Sequence, residues 1–170
     1  VETRLAQIDR QGQFKDYDVV VKTLAPQRWL SWRENYPSRP EALSAMWTLV
    51  RELPAQTQTR ALGAFTLVYH FEALEDKNFD IEMGYQLESG SSVSSALIGT
   101  RTATMNQLPG TEVATVVRRG WVDKNLACYS ALGEWIEEHG YRFAGPGREV
   151  LLEPLIQGCE QEAVAELQIP

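Results

Sequence analysis

Cysteine and histidine are scarce, two of each in 170 residues. Cys128 and Cys159 have no CxxC spacing, and His70 and His139 lie far apart with no cysteine beside them. Neither a zinc site nor a disulfide framework is expected. No stretch approaches the run of about 18 apolar residues that a membrane span needs, and no basic-then-apolar leader opens the chain. Positive charge is also in deficit: 16 Lys and Arg stand against 23 Asp and Glu, a net charge of −7. Nucleic acid is gripped by basic surfaces, so this chain is not expected to hold it unaided. Catalytic templates are missing too, with no GxSxG, HExxH, Walker loop or helix-opening GxGxxG. Gly145-Pro146-Gly147 is rich in glycine but runs into a strand, without the helix N-terminus that binds phosphate. No catalytic residue, metal or cofactor is therefore expected.

What is present has ordinary globular proportions, 44% apolar and 23% charged, enough for a sizeable core. Residues 1–12 stand apart. Val1, Leu5 and Ile8 form a heptad-like stripe, and Gly12 is a plausible stop. Two turns cannot hold a helix alone, so this is either a frayed terminal helix or the stump of a longer coiled coil. The opening at Val1 rather than methionine fits a piece of a longer protein.

Beyond it the hydrophobic period switches back and forth. Residues 17–24 and 28–34 read as strands around a turn at Ala25-Pro26-Gln27. Ser38-Arg39-Pro40-Glu41 reads as a capping box opening a helix. That helix carries Leu43, Met46, Trp47, Val50 and Leu53 on one face, and Pro54 is expected to stop it. Residues 63–71 and 79–87 alternate as half-buried strands. Ser89 to Ser95 is a linker by composition. Strands at 101–108 and 111–118 follow, then a helix capped by Asp123 that carries Leu126, Tyr129, Leu132, Gly133 and Ile136 and ends near Gly140. Strands at 148–153 and 162–169 close the chain.

This order is an internal repeat. A shift of 83–84 positions lays Leu24 on Leu108, Trp29 on Val113, Leu53 on Ile136 and Met83 on Leu167. Each half, 17–88 and 101–170, has one helix to cover an apolar sheet face. Two such halves complete each other's core and leave a seam, a common place for a ligand cleft.

Three features suggest chemistry. Five tryptophans exceed the needs of packing, and Trp121 and Tyr141 sit at element boundaries, where a ring can line a cleft. Glu149 enters an otherwise apolar strand, Arg148-Glu149-Val150-Leu151-Leu152-Glu153. Alternation leaves it either on a solvent face or in an aromatic cleft suited to an organic cation or to general base work.

The run Gly120-Trp121, Leu126, Tyr129, Trp135-Ile136, Gly140-Tyr141-Arg142, Gly145-Pro146, Arg148-Glu149-Val150 and Glu166-Leu167-Gln168-Ile169-Pro170 resembles the GyrI-like family. Tyr17-Asp18-Val19-Val20, Pro26-Gln27-Arg28 and Asp80-Ile81-Glu82 carry the likeness through the first half. These are the small-molecule effector-binding domains of MerR-type and AraC-type transcription regulators. The resemblance spans 17–170 and rests on order and spacing. It implies an α+β fold in which tandem β-α-β-β units form one large antiparallel sheet with two main helices and a central ligand groove. It implies a lipophilic, cationic or aromatic ligand held by Glu149, with Trp121, Tyr69, Tyr85 and Tyr141 lining the groove. The family's usual Gly-Pro-Tyr is Arg119-Gly120-Trp121 here. Residues 1–12 are similar to the end of the dimerisation helix of MerR-type regulators. The resemblance thus implies a cytoplasmic homodimer that meets DNA only through a domain before Val1. It also supplies two rivals: a hydrolase of strained-ring compounds using Glu149 as base, and a gyrase-inhibitor-like protein-binding module. An ionised Glu149 in such a groove should favour a cation, and Glu149→Gln should weaken it.

Overall fold

The computed structural model describes residues 17–57, 61–70 and 78–170. The stripe at 1–12 and the end of the expected strand at Phe71 lie outside them. Among the described residues nine strands and two helices follow one another as β1 (Val20–Leu24), β2 (Gln27–Tyr36), α1 (Arg39–Gln56), β3 (Leu62–Tyr69), β4 (Phe79–Leu87), β5 (Ser95–Ile98), β6 (Arg101–Leu108), β7 (Thr111–Arg119), α2 (Asn125–Glu138), β8 (Gly147–Leu151) and β9 (Val164–Ile169). All the strands join one antiparallel sheet in the order β1-β7-β9-β8-β3-β4-β2-β6-β5.

The repeat is visible in that order. In the first half β3-β4-β2 runs outward from the centre, and β8-β9-β7 does the same on the other side. The two halves meet where β3 pairs with β8, Leu67 opposite Glu149. Their first strands are exchanged: β1 lies on β7 and β6 lies on β2. Both pairings keep one register, with Leu24 opposite Thr111 and Gln27 opposite Leu108. Residues 20–31 and 104–115 are thus one long ladder, interrupted only where each chain crosses between the halves. Pro26 and Pro109 sit at the crossings, where no ladder N–H is needed. Gly110 is required there, because a Cβ on it would lie 2.7 Å from the Pro26 ring.

Both helices cover the same face. α1 packs on β2, β4 and β5, and α2 on β7 and β9. The core between them holds Leu30, Met46, Leu49, Leu53, Met83, Val116, Leu132 and Leu167. The opposite face carries a small cluster of Trp29, Val68 and Leu108. This second cluster is why β3 buries both Leu67 and Val68, which simple alternation does not anticipate.

Several local expectations are corrected. Pro54 does not stop α1, which runs to Gln56. Proline lacks the N–H that would meet the carbonyl four residues back. That carbonyl, Val50, accepts instead from the Tyr85 hydroxyl at 3.3 Å. Ser38 is the N-cap of α1, but its hydroxyl donates to the Glu41 carboxylate at 2.8 Å rather than accepting from the backbone. Asp123 does not cap α2: a 3-10 turn over Val122–Lys124 comes first, and Lys124 holds the cap position. Within α2 the buried residues are Cys128, Ala131, Leu132 and Ile136, while Leu126 faces solvent. The expected linker ends earlier than its composition suggests, since Ser95 already begins β5. Cys128 and Cys159 are both free.

Candidate functional site

The central pair β3–β8 lies between the two helices, and the side chains it turns toward them form the site. On β3, Phe65, Leu67 and Tyr69 share this face with Tyr85, Met83 and Ile81 of β4. On β8, Glu149 shares it with Leu67 and with Leu167 of β9. Glu149 is therefore not a solvent-face residue. It is 1% exposed.

Three donors converge on its carboxylate. The Tyr69 hydroxyl donates to Oε2 at 2.6 Å and the Asn125 amide to the same oxygen at 2.7 Å. Arg118 donates from Nη2 to Oε1 at 2.5 Å, an ion pair in which each partner is 1% exposed. Arg118 reaches the site because Ala114, Val116 and Arg118 of β7 lie opposite Ile169, Leu167 and Ala165 of β9, on the helix side. Asn125 is placed by the first turn of α2. Tyr129, one turn further on, sets its ring edge-on to Tyr69 at 6.1 Å and donates its hydroxyl to the Arg148 carbonyl at 3.1 Å. Gly147 leaves room for that ring, whose nearest atom would be 3.2 Å from a Cβ there.

Burial raises the Tyr69 phenol well above its ordinary value, and the Glu149 charge raises it further. Tyr129 is pushed up well above the ordinary value by the same two causes in the same order. Both stay protonated and act as donors. The site also holds buried groups that lack a partner among the described residues: Nε and Nη1 of Arg118 and Oδ1 of Asn125.

Of the residues singled out from sequence, Glu149 and Tyr69 are brought together directly. Trp121, at the turn leading into α2, stacks on Trp47 of α1 at 6.1 Å and 20°, so the two rings bridge the halves. Tyr85 is tied to α1 through Val50 and sets its ring edge-on to Phe65 at 5.0 Å, on the flank of the site. Tyr141 belongs to a different group. It stacks on Trp135 at 5.8 Å beyond the end of α2, where His139 stacks on the same indole at 4.0 Å. Sequence reasoning missed Arg118 and Asn125 as site residues, while Tyr129 was among the tyrosines it offered as donors beside Glu149. A hollow lined by Glu153, Leu155, Ile156 and Cys159 lies on the β8–β9 connection, away from this cluster. Among the described residues no group of His, Cys, Asp and Glu could hold a metal ion, and no helix is long and apolar enough to cross a membrane.

A tandem β-α-β-β repeat closing into one antiparallel sheet, with two helices on one face, is a fold that the chain shares with solved structures. Within it, the chain is similar to the crystal structure of the EcmrR C-terminal domain, with a TM-score of 0.73 at 20% identity over 91% of this chain and 96% of that one. EcmrR in its complex with DNA gives a TM-score of 0.74 at 20% identity. That match covers 98% of this chain but 64% of the EcmrR chain. SAV2435 bound to tetraphenylphosphonium is similar at a TM-score of 0.55 and 13% identity, over 90% of this chain and 93% of that one. A hydrolase from Listeria innocua follows at 0.57 and 9%, over 95% and 97%. No family model and no curated protein matches the sequence.

Proposed function

We propose that residues 17–170 form the effector-binding domain of a transcription regulator, a sensor that holds a lipophilic aromatic molecule between α1 and α2 over Glu149. The observation that carries this reading is the polar cluster of Glu149, Arg118, Tyr69 and Asn125 buried on the central strands. A fold needs no such cluster for stability, since buried ion pairs contribute little beyond well-packed apolar residues. The Trp47–Trp121 stack supplies an aromatic wall that a flat ligand can join or displace. The likeness to EcmrR and to a tetraphenylphosphonium-bound protein supports the same reading. DNA contact and dimerisation would belong to parts of a regulator outside the described residues.

The hydrolase reading is the second, favoured by the Listeria innocua neighbour. It asks Glu149 to take a proton from water. Three donors already share that carboxylate, which leaves it about one lone-pair site, on Oε1, for a water.

Tryptophan fluorescence separates the readings. Saturable quenching by aryl probes such as tetraphenylphosphonium or triphenylphosphine oxide is expected, with the probe recovered unchanged by mass spectrometry. Trp121→Ala should weaken binding by about tenfold, the scale of one lost aromatic anchor. A complete lack of saturable binding would sink the sensor reading, and conversion of a strained-ring compound that stops in Glu149→Gln would establish the hydrolase.

A further inference from the structure

We infer that the ligand of this cleft is an uncharged aromatic molecule that offers a hydrogen-bond acceptor to Arg118, and that lipophilic cations are disfavoured. The inference rests on the reading of the cleft as a ligand site and deepens it.

The first ground is charge. A lone carboxylate in an aromatic cleft attracts a cation, but this one is already matched. Arg118 sits on Glu149 at 2.5 Å with both side chains 1% exposed, so the pair presents no net charge. A cation entering beside it would bring a second positive charge against a desolvated guanidinium, without an unmatched anion to receive it. An anion would leave the opposite imbalance. A neutral molecule leaves the pair intact.

The second ground is hydrogen bonding. Arg118 uses one nitrogen on Glu149, while Nε and Nη1 are buried without a partner among the described residues. Asn125 donates through its amide nitrogen, and its Oδ1 is likewise without one. Buried polar groups are rarely left unmatched, and an exception needs a reason. Two idle donors on Arg118 and one idle acceptor on Asn125, both residues bound to the same carboxylate, fit a ligand carrying a carbonyl or phosphoryl oxygen and an N–H or O–H.

The third ground comes from the repeat. The pairing of Met83 with Leu67 and with Trp32 matches that of Leu167 with Glu149 and with Val116. Leu67 is therefore the counterpart of Glu149. Two residues along the same strands, Glu34 is the counterpart of Arg118. Glu34 pairs with Arg101 in a partly exposed bridge of 2.6 Å. The first half thus builds the same sheet with leucine at the centre. The polar pair in the second half is not demanded by the architecture, which leaves recognition as its use.

The test compares two aryl probes of similar shape on the full chain: tetraphenylphosphonium, a cation without an acceptor, and triphenylphosphine oxide, neutral with a strong acceptor oxygen. Affinities follow from tryptophan fluorescence. The oxide should bind at least about tenfold more tightly than the cation, the scale of one matched charge-assisted hydrogen bond. Arg118→Met alone frees the carboxylate and should turn the preference toward the cation. Because that variant leaves a buried charge unpaired and can unfold, the double variant Arg118→Met/Glu149→Gln is measured beside it. It keeps the volume, removes both charges, and should lose the oxide preference at an unchanged melting temperature. A parent protein that binds the cation as tightly as the oxide overturns the inference and leaves the cleft reading standing. An oxide preference that survives the double variant overturns the role given to Arg118. If neither probe binds the parent, the cleft reading falls as well.

Discussion

Tyr69 and Tyr129 show how one buried carboxylate organises the groups around it. Each phenol is buried beside Glu149, and ionising either would place a second negative charge in a dry site. A phenol whose folded pKa is raised contributes stability that is complete below its unfolded value, 10.0 for both. That stability is lost as pH climbs above this value, because the unfolded chain then releases protons that the folded chain keeps. Alkaline titration should therefore show tyrosinate absorbance from these two residues appearing together with unfolding. Tyr129→Phe should remove up to about 1.4 kcal/mol per pH unit from the slope of stability in that range. Absorbance near the tyrosinate band and circular dichroism, recorded on the same samples, check it. Tyr129 absorbance rising while the fold is intact would show that its ring is not buried as described.

The helix α1 carries a proline two residues before its end and still does not break there. The defect is local: one missing N–H, and one carbonyl, Val50, left without its helical donor. Tyr85 from β4 fills the gap, so the element is completed by a side chain from a neighbouring strand. Tyr85→Phe should cost about 1 kcal/mol, the scale of one lost hydrogen bond to a partly buried carbonyl. In a Pro54→Ala background the backbone donor returns, and the same Tyr85→Phe change should cost measurably less. Urea unfolding of the four proteins gives the coupling. Equal costs in both backgrounds would show that the Tyr85 hydroxyl does not serve Val50.

At the scale of the whole molecule, the exchange of β1 and β6 makes the two halves interdependent. β2 meets β6 on one side and β7 meets β1 on one side, so neither half can complete its own sheet. A fragment of residues 17–88 would lose the ladders to β6, β7 and β8 and leave long unpaired edges. Each half expressed alone should lack a cooperative thermal transition, while the two expressed together should recover one. A half that melts cooperatively as a monomer would show that the exchange is not structural. The site depends on the same joining, because Tyr69 comes from the first half and Arg118, Asn125 and Glu149 from the second.

The sequence by itself determined most of the elements and their repetition, but not β5, whose four residues follow a stretch that reads as linker. Residues 79–87 and 101–108 read as strands with the bounds that β4 and β6 have, because the strict alternation of the first and the Pro109-Gly110 turn that ends the second are local properties. It also pointed to Glu149, since a carboxylate inside an apolar strand is conspicuous wherever the strand lies. Other features could be decided only by the tertiary structure. Alternation in β7 is obscured because Val113, Ala114, Thr115 and Val116 are all buried, so parity does not say whether Arg118 or Arg119 turns inward. The pairing with β9 decides it in favour of Arg118. The exchange of first strands is invisible in one dimension, because hairpin and crossover place the same residues at the same spacing. The charge balance of the buried cluster follows from both. A lone glutamate is what the chain shows in sequence, and a matched pair is what the sheet makes of it, because two residues 31 positions apart are brought onto one buried face.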